Sequence, residues 1–136
     1  MTMTPQAIRQ LLLSPATFIL ARILLTLPFW ASGLAKLIDF QGGVAEMDHY
    51  GFTPGAVFNT ATVITQLGGS LLIIFNRFTW LGAGALGIFT ALTILLVHNF
   101  WAQEGDMAMI HMFFALEHIG MIGGLILVSI LSEARR

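Results

Sequence analysis

A carboxylic acid and an imidazole stand side by side, at Glu117 and His118, in the last apolar stretch of the sequence. This stretch runs from Met109 to Ser129 and is long enough to cross a bilayer. An ionisable side chain at that depth has to face protein, water or a ligand, because hydrocarbon cannot solvate it. Both groups can accept and donate protons, so this dipeptide is the first candidate for ligand binding or proton chemistry.

Two further histidines can reach the same region. His111 lies seven residues before His118 and therefore on the same helical face, and His98 ends the preceding apolar stretch. Histidine pairs can ligate haem or copper, but the spacing here is not specific for either. We therefore expect no metal site and disfavour haem and copper. Hydrogen-bonded packing is the simpler interpretation of any one of these histidines.

The run Asn99-Phe100-Trp101 follows His98 and has two interpretations. Trp101 suits the aromatic belt at a membrane interface. Alternatively, His98 and Trp101 line an outward-facing pocket above Glu117. The first interpretation explains Trp101 but leaves His98 and Asn99 unexplained.

Two basic residues interrupt the first apolar stretch, Arg22 near its start and Lys36 near its end. Each would cost about 2.5–3.5 kcal/mol at the centre of a bilayer on insertion scales. Both side chains are long enough to snorkel to the headgroups instead. The alternative is that one of them pairs with Glu117 inside the protein, either to set helix register or as part of a ligand or proton site.

Polar residues in the second apolar stretch recur at i, i+3, i+7 and i+11, which keeps them on one helical face. They are Asn59, Thr62, Gln66 and Ser70. We expect this face to look into the interior. The residues predicted to form a polar ligand pocket are Arg22, Lys36, Gln66, His98, Asn99, Trp101, His111, Glu117 and His118.

Composition restricts the class of protein. Of the 136 residues, 57% are hydrophobic and only 10% are charged, whereas soluble domains carry roughly 25% charged residues. The chain is therefore expected to be an integral membrane protein, with residues 1–136 in one transmembrane domain. The net charge of −1 gives no indication of nucleic acid binding. There are no cysteines, so thiol–disulfide exchange and thiolate metal sites are excluded for this chain.

The apolar stretches predict an all-α, four-helix transmembrane bundle with spans at about 17–38, 55–75, 79–98 and 109–131. The connection 39–54 predicts a short amphipathic helix on the membrane surface, ended by Gly51. Gly120 and Gly124 form a GxxxG pattern that favours close helix packing. The basic residues outside the spans all fall on one side, so the positive-inside rule places both termini in the cytoplasm. They are Arg9, Arg77, Arg135 and Arg136.

Short motifs along the chain resemble the DoxX family of small four-span bacterial membrane proteins, from Ala21 to about Leu127. They are Ala21-Arg22, Phe29-x-x-x-Gly33-x-x-Lys36, Gly51-x-x-Pro54, Gly68-Gly69, the short turn with Arg77, His98-Asn99-Phe100-Trp101 and Gly123-Gly124. Two positions depart from the family pattern. Gln66 stands where the family commonly has an acidic residue, and Glu117-His118 stands where it commonly has Lys-Asn, which suggests a distinct subgroup.

The resemblance implies a multi-pass protein of the bacterial cytoplasmic (inner) membrane. It further implies a membrane subunit, or a small-ligand-binding partner, of a quinone-linked oxidoreductase system, because the family name comes from a subunit associated with quinone-linked oxidation. Quinone is then the candidate ligand, and whether the chain itself is catalytic stays open. The expected partners are the lipid bilayer, a redox partner protein and a second copy of the chain. The alternatives are a small-solute transporter that works as an oligomer and a non-catalytic membrane scaffold.

Overall fold

The computed structural model describes residues 3–136, and all regular structure in these residues is helical. Four helices are long and apolar enough to cross a membrane, which confirms the predicted all-α architecture. They are α2 (Pro15–Ile38), α4 (Gly55–Ile74), α5 (Thr79–Leu96) and α6 (Gly105–Ala134). Shorter helices precede or connect them: α1 (Gln6–Leu12), α3 (Phe40–His49) and a 3-10 helix (Phe100–Ala102).

The last helix begins earlier than its apolar stretch suggested. It starts at Gly105, about four residues before the predicted span, and runs for 30 residues. Gly105 has a φ of +63°, a left-handed conformation that glycine adopts without a steric penalty. Asp106 then lies in the first turn, where a carboxylate interacts favourably with the helix dipole. Hydropathy alone does not detect this polar first turn.

The helix predicted in the first connection is confirmed as α3. The Asp39 side chain accepts a hydrogen bond of 3.0 Å from the amide of Gly42 at its start. Gly51 follows its end with a φ of +80°, the conformation that commonly terminates a helix. The position of α3 on the membrane surface stays a prediction.

The long helices pack in the order α2, α4, α5, α6, while α3 packs on α4 and the direct contact between α2 and α6 is small. The start of α2 and the end of α6 lie at one end, here termed the terminal end, where the Arg135 guanidinium donates to the carbonyl of Leu13 (3.3 Å). Asn76 lies there too, in the α4–α5 turn, and its side-chain oxygen accepts from the hydroxyls of Thr79 (2.9 Å) and Ser132 (2.7 Å). The opposite end, termed the loop end, carries α3 and the 3-10 helix. That the terminal end faces the cytoplasm stays a prediction.

The apolar core takes residues from all four long helices. Its buried members are Phe29, Ile73, Ala83, Leu86 and Leu125, with Leu25, Phe89, Met121 and Val128 packed around them. Within this core the backbones of α4 and α5 approach each other closely. A Cβ added at Gly82 would lie only 2.6 Å from the carbonyl oxygen of Gly69, so the absence of a side chain at Gly82 allows this approach.

One of the two glycines of the GxxxG pattern in α6 packs closely against another helix of this chain. A Cβ added at Gly124 would lie 2.8 Å from Cδ1 of Leu25, so this glycine brings α6 close to α2. A Cβ added at Gly120 would meet no atom of residues 3–136 within 4 Å. Gly120 is therefore open to whatever surrounds the protein.

The predicted inward orientation of the polar face of α4 is confirmed. All four of its residues are buried, and they are Asn59, Thr62, Gln66 and Ser70. The Ser70 hydroxyl donates to the carbonyl of Gln66 (2.6 Å) within the same helix. The Asn59 amide group reaches the junction of α2 and α3, as described below.

Candidate functional site

Three of the predicted site residues come together where α5 ends against α6. The Nδ1 atoms of His98 and His111 lie 3.0 Å apart. The ring of His118 meets the ring of His98 edge-on, with 4.8 Å between their centroids. The ring of Phe114 packs on His98 at 5.2 Å. We term His98, His111 and His118 the histidine cluster.

Helical spacing and one loop position these rings. His111, Phe114 and His118 lie at i, i+3 and i+7 of α6 and therefore share one face. His98 lies just after the last residue of α5, and its amide still donates to the carbonyl of Thr93 (2.9 Å). Because α5 and α6 are antiparallel and in extensive contact, the end of α5 lies over this face of α6.

The cluster has free hydrogen-bonding capacity. In the 3.0 Å contact one imidazole must donate from Nδ1 and the other must accept, so the two rings hold different tautomers while both are neutral. The Nδ1 atom of His118 is buried and has no hydrogen-bond partner in the part of the chain that the structure describes. An unpaired buried polar atom costs free energy, which a ligand or a water molecule would recover. The cluster can therefore bind a polar group and exchange a proton with it.

The geometry of the cluster does not suit a metal ion. Among residues 3–136, no group of three or more His, Cys, Asp or Glu side chains is arranged to hold a metal ion. The ring of His98 instead contacts the rings of His111, Phe114 and His118.

Glu117 lies on a different side of α6 from the histidine cluster. Its side chain is exposed, and within residues 3–136 it forms no ion pair. The structure thus corrects the expectation that Glu117 meets Arg22 or Lys36 inside the bundle. Leu25 of α2 packs against Gly124 of α6. Arg22 lies between this contact and the terminal end, whereas Glu117 lies about 10 Å along α6 towards the loop end.

Lys36 has a partner of its own at the loop end. Its Nζ lies 3.0 Å from the Oε2 atom of Glu46 and 3.5 Å from the Ser32 hydroxyl. The ion pair joins the end of α2 to α3. Sequence analysis missed Glu46 as the partner, because a contact across a helix junction has no characteristic spacing.

Arg22 lies at the terminal end. It is buried, with its guanidinium carbon 5.5 Å from the ring centroid of Phe18, and Arg135 lies over the same ring at 3.2 Å. Cations over an aromatic face are attracted by its quadrupole. The Nε atom of Arg22 has no hydrogen-bond partner among the described residues. This geometry indicates a packing role that joins the start of α2 to the end of α6.

Gln66 and Asn59 face α2 and α3. A Cβ added at Gly33 of α2 would lie 3.2 Å from the Cβ of Gln66. The Asn59 amide group donates long hydrogen bonds to the carbonyls of Lys36 (3.5 Å) and Phe40 (3.4 Å). The side-chain oxygens of Asn59 and Gln66 are buried without partners in residues 3–136. The periodicity of α4 predicted the buried position of Asn59, but not its role at the α2–α3 junction.

The remaining predicted site residues follow α5. The Gln103 amide donates to the side-chain oxygen of Asn99 (3.2 Å). Trp101 is exposed and contacts the ring of Phe100 edge-on at 5.3 Å. An exposed Trp101 suits an interfacial anchor better than a pocket wall. The nine residues predicted to form one pocket are thus distributed over several sites, and the histidine cluster is the part that the fold brings together.

Comparison with known proteins shows the family to which this chain belongs. The sequence model of the DoxX family matches residues 17–99, the segment from α2 to the end of α5 and more than half of the chain. This chain belongs to the DoxX family. It is also 25% identical, over 116 residues, to the inner membrane protein YphA of Escherichia coli (strain K12), covering 85% of this chain and 83% of YphA. No solved structure matches the chain.

These comparisons establish a DoxX-family, multi-pass protein of the inner membrane. The family match ends at Asn99, earlier than the expected limit near Leu127. His98 therefore lies inside the matched segment, whereas His111 and His118 lie beyond it in α6. The histidine cluster joins a residue of the family segment to two residues outside it.

Proposed function

We propose that this DoxX-family protein is a membrane subunit of a quinone-linked oxidoreductase system and binds the quinone headgroup at the histidine cluster. One observation carries the proposal: the buried Nδ1 of His118 is unpartnered beside the hydrogen-bonded pair of His98 and His111. A ring nitrogen with free hydrogen-bonding capacity, held among aromatic rings, suits the carbonyl oxygen of a quinone.

The surroundings of the cluster support this ligand class. A quinone has a flat polar headgroup and an apolar tail, so its site needs a few polar groups beside aromatic and aliphatic surfaces. Phe114 supplies an aromatic face next to His98. All three histidine residues are only partly buried. The Nδ1 atom of His118 is itself buried, so the ring has to turn for a ligand to reach this nitrogen from outside the bundle.

In this proposal a redox partner protein supplies the electrons, and this chain assists in proton transfer. Reduction of a quinone to a hydroquinone takes up two electrons and two protons. We assign the electrons to a partner oxidoreductase, because the sequence contains no cysteine pair that could supply them. The His118 imidazole can hydrogen-bond one oxygen of the headgroup and give it a proton as that oxygen gains electrons, while its other ring nitrogen takes up a proton from water. The second proton comes from water.

The test is quinone extraction and titration on protein purified in mild detergent. We expect quinone to co-purify and a short-tailed quinone to bind, with His118→Phe and His98→Phe each weakening binding up to about tenfold through loss of a hydrogen bond. The matched control is His49→Phe, because His49 is exposed on α3. If no quinone co-purifies or binds, or if the cluster variants bind as the wild type does, the proposal is wrong.

A further inference from the structure

Glu117 presents a carboxyl group on an open face of a membrane-spanning helix. It lies near the middle of the 30-residue helix α6, about 18 Å along the axis from Gly105. Its side chain is exposed and has no ion-pair partner in the described chain. A carboxyl group facing hydrocarbon at this depth is costly whether it is ionised or protonated, so this face is expected to be covered in the membrane.

We propose that the face of α6 formed by Phe113, Glu117 and Gly120, termed the Glu117 face, binds a transmembrane helix of a different membrane protein. That helix presents a Lys or Arg side chain at the depth of Glu117. The inference does not rest on quinone binding, because Glu117 lies about 100° round the helix from His118.

The shape of the Glu117 face allows a helix to approach closely. Its three residues lie at i, i+4 and i+7 and therefore form one stripe. Phe113 is 55% exposed and offers apolar surface above the carboxyl group. Gly120, below it, has open space where a side chain would be, and small residues let transmembrane helices pack closely.

Charge complementarity selects a different protein over a second copy of this chain. The basic residues within the spans are both engaged elsewhere, Arg22 beside Phe18 and Lys36 with Glu46. Two copies in the same orientation would bring Glu117 to the same depth as another Glu117, and no free cation of residues 3–136 lies near it. The cation has to come from another chain.

The probe is a synthetic apolar transmembrane peptide with a single central Lys, compared with the same peptide carrying Leu at that position. The full chain is labelled at Glu104→Cys, which is unambiguous because the sequence has no cysteine. Energy transfer to the labelled peptide is then measured in phospholipid vesicles. We expect the Lys peptide to bind about fivefold to thirtyfold more tightly than the Leu peptide, as polar contacts between membrane helices allow.

Three variants test the geometry. Glu117→Leu should remove the preference for the Lys peptide, and Gly120→Leu should weaken binding without disturbing the chain itself, because its Cβ meets open space. Glu117→Leu combined with Ile119→Glu keeps an exposed carboxyl group but moves it about 200° round α6, and should not restore the preference. Unchanged circular dichroism shows that each variant is folded.

Three results would overturn the proposal. The first is equal binding of the Lys and Leu peptides to the wild type. The second is a preference for Lys that survives Glu117→Leu. The third is energy transfer between donor- and acceptor-labelled copies of this chain that Glu117→Leu abolishes, because the occupant would then be a second copy.

Discussion

The Nδ1 atoms of His98 and His111 lie 3.0 Å apart, although His98 follows the end of α5 and His111 is the seventh residue of α6. The contact joins the segment after α5 to the first turns of α6. Nothing in local helix formation requires it, because neither residue caps the other's helix. It is a tertiary contact between two groups that can both donate and accept a proton.

The first prediction is an energetic coupling between His98 and His111. A double-mutant cycle with His98→Phe and His111→Phe should give a coupling of about 0.5–1.5 kcal/mol, the net value of one hydrogen bond. The measurement is the free energy of unfolding in mixed micelles. The same cycle between His98 and the distant His49 serves as the control and should show no coupling. Strict additivity for His98 and His111 would contradict the contact.

The second prediction concerns the close approach of α4 and α5. Gly82→Ala should lower the free energy of unfolding by about 1–3 kcal/mol, because the new Cβ meets the backbone oxygen of Gly69 and forces the helices apart. The neighbouring Gly84→Ala is the matched control, since a Cβ there meets no atom of the described chain within 4 Å. Thermal unfolding in detergent measures both, and equal stability of the two variants would argue against this packing.

The third prediction concerns Asn59 at the junction of α2 and α3. Asn59→Ala should cost about 1 kcal/mol, because the carbonyls of Lys36 and Phe40 lose their side-chain donor and both bonds are long. Thr60→Ala is the control, because Thr60 is exposed and donates only to Ala56 within its own helix. Denaturant unfolding of the two variants decides the matter, and a larger loss for Thr60→Ala would refute this role.

The fourth prediction concerns the ion pair of Lys36 and Glu46. Glu46→Gln should speed amide hydrogen exchange in α3, because the pair fastens that helix to the end of α2. Its effect on global stability should stay below about 1 kcal/mol, because the Glu46 side chain is 49% exposed and water screens the pair. Glu104→Gln, an exposed acid on the other connection, is the control. Unchanged exchange in α3 would show that the pair contributes nothing.

The fifth prediction is the orientation of the chain. We expect a cysteine placed at Arg77 to react with a membrane-impermeant thiol reagent only after the membrane is opened, and one placed at Glu104 to react in intact spheroplasts. The absence of native cysteines removes background labelling. The reverse pattern of labelling would place the terminal end outside the cytoplasm.

Periodicity and hydropathy predicted the parts of this structure that depend on burial. The four spans follow from apolar stretches long enough to cross a bilayer. The inward face of α4 follows from the recurrence of its polar residues, because a helix in lipid has to turn such residues towards protein. Asn59 and Gln66 are buried for this reason.

Which charged side chains pair with each other could not be predicted from periodicity and hydropathy. The sequence identified Lys36, Arg22 and Glu117 as ionisable residues within the spans, yet no two of them pair. Which charges meet depends on the relative shift and rotation of α2 and α6, and these two helices are joined mainly through α4 and α5. A one-turn shift changes every partner while leaving the sequence pattern intact.

The sequence alone determined the membrane class, the number of spans and the set of residues that need a partner, because these depend on local composition and on helical period. Only the tertiary structure decided that the histidines gather at the end of α5, that Lys36 joins Glu46, and that Glu117 faces outward. Those outcomes depend on how the helices pack against each other, and close contacts at Gly69, Gly82 and Gly124 set that packing. Because the carboxyl group of Glu117 faces outward, we expect a partner membrane protein to bind there.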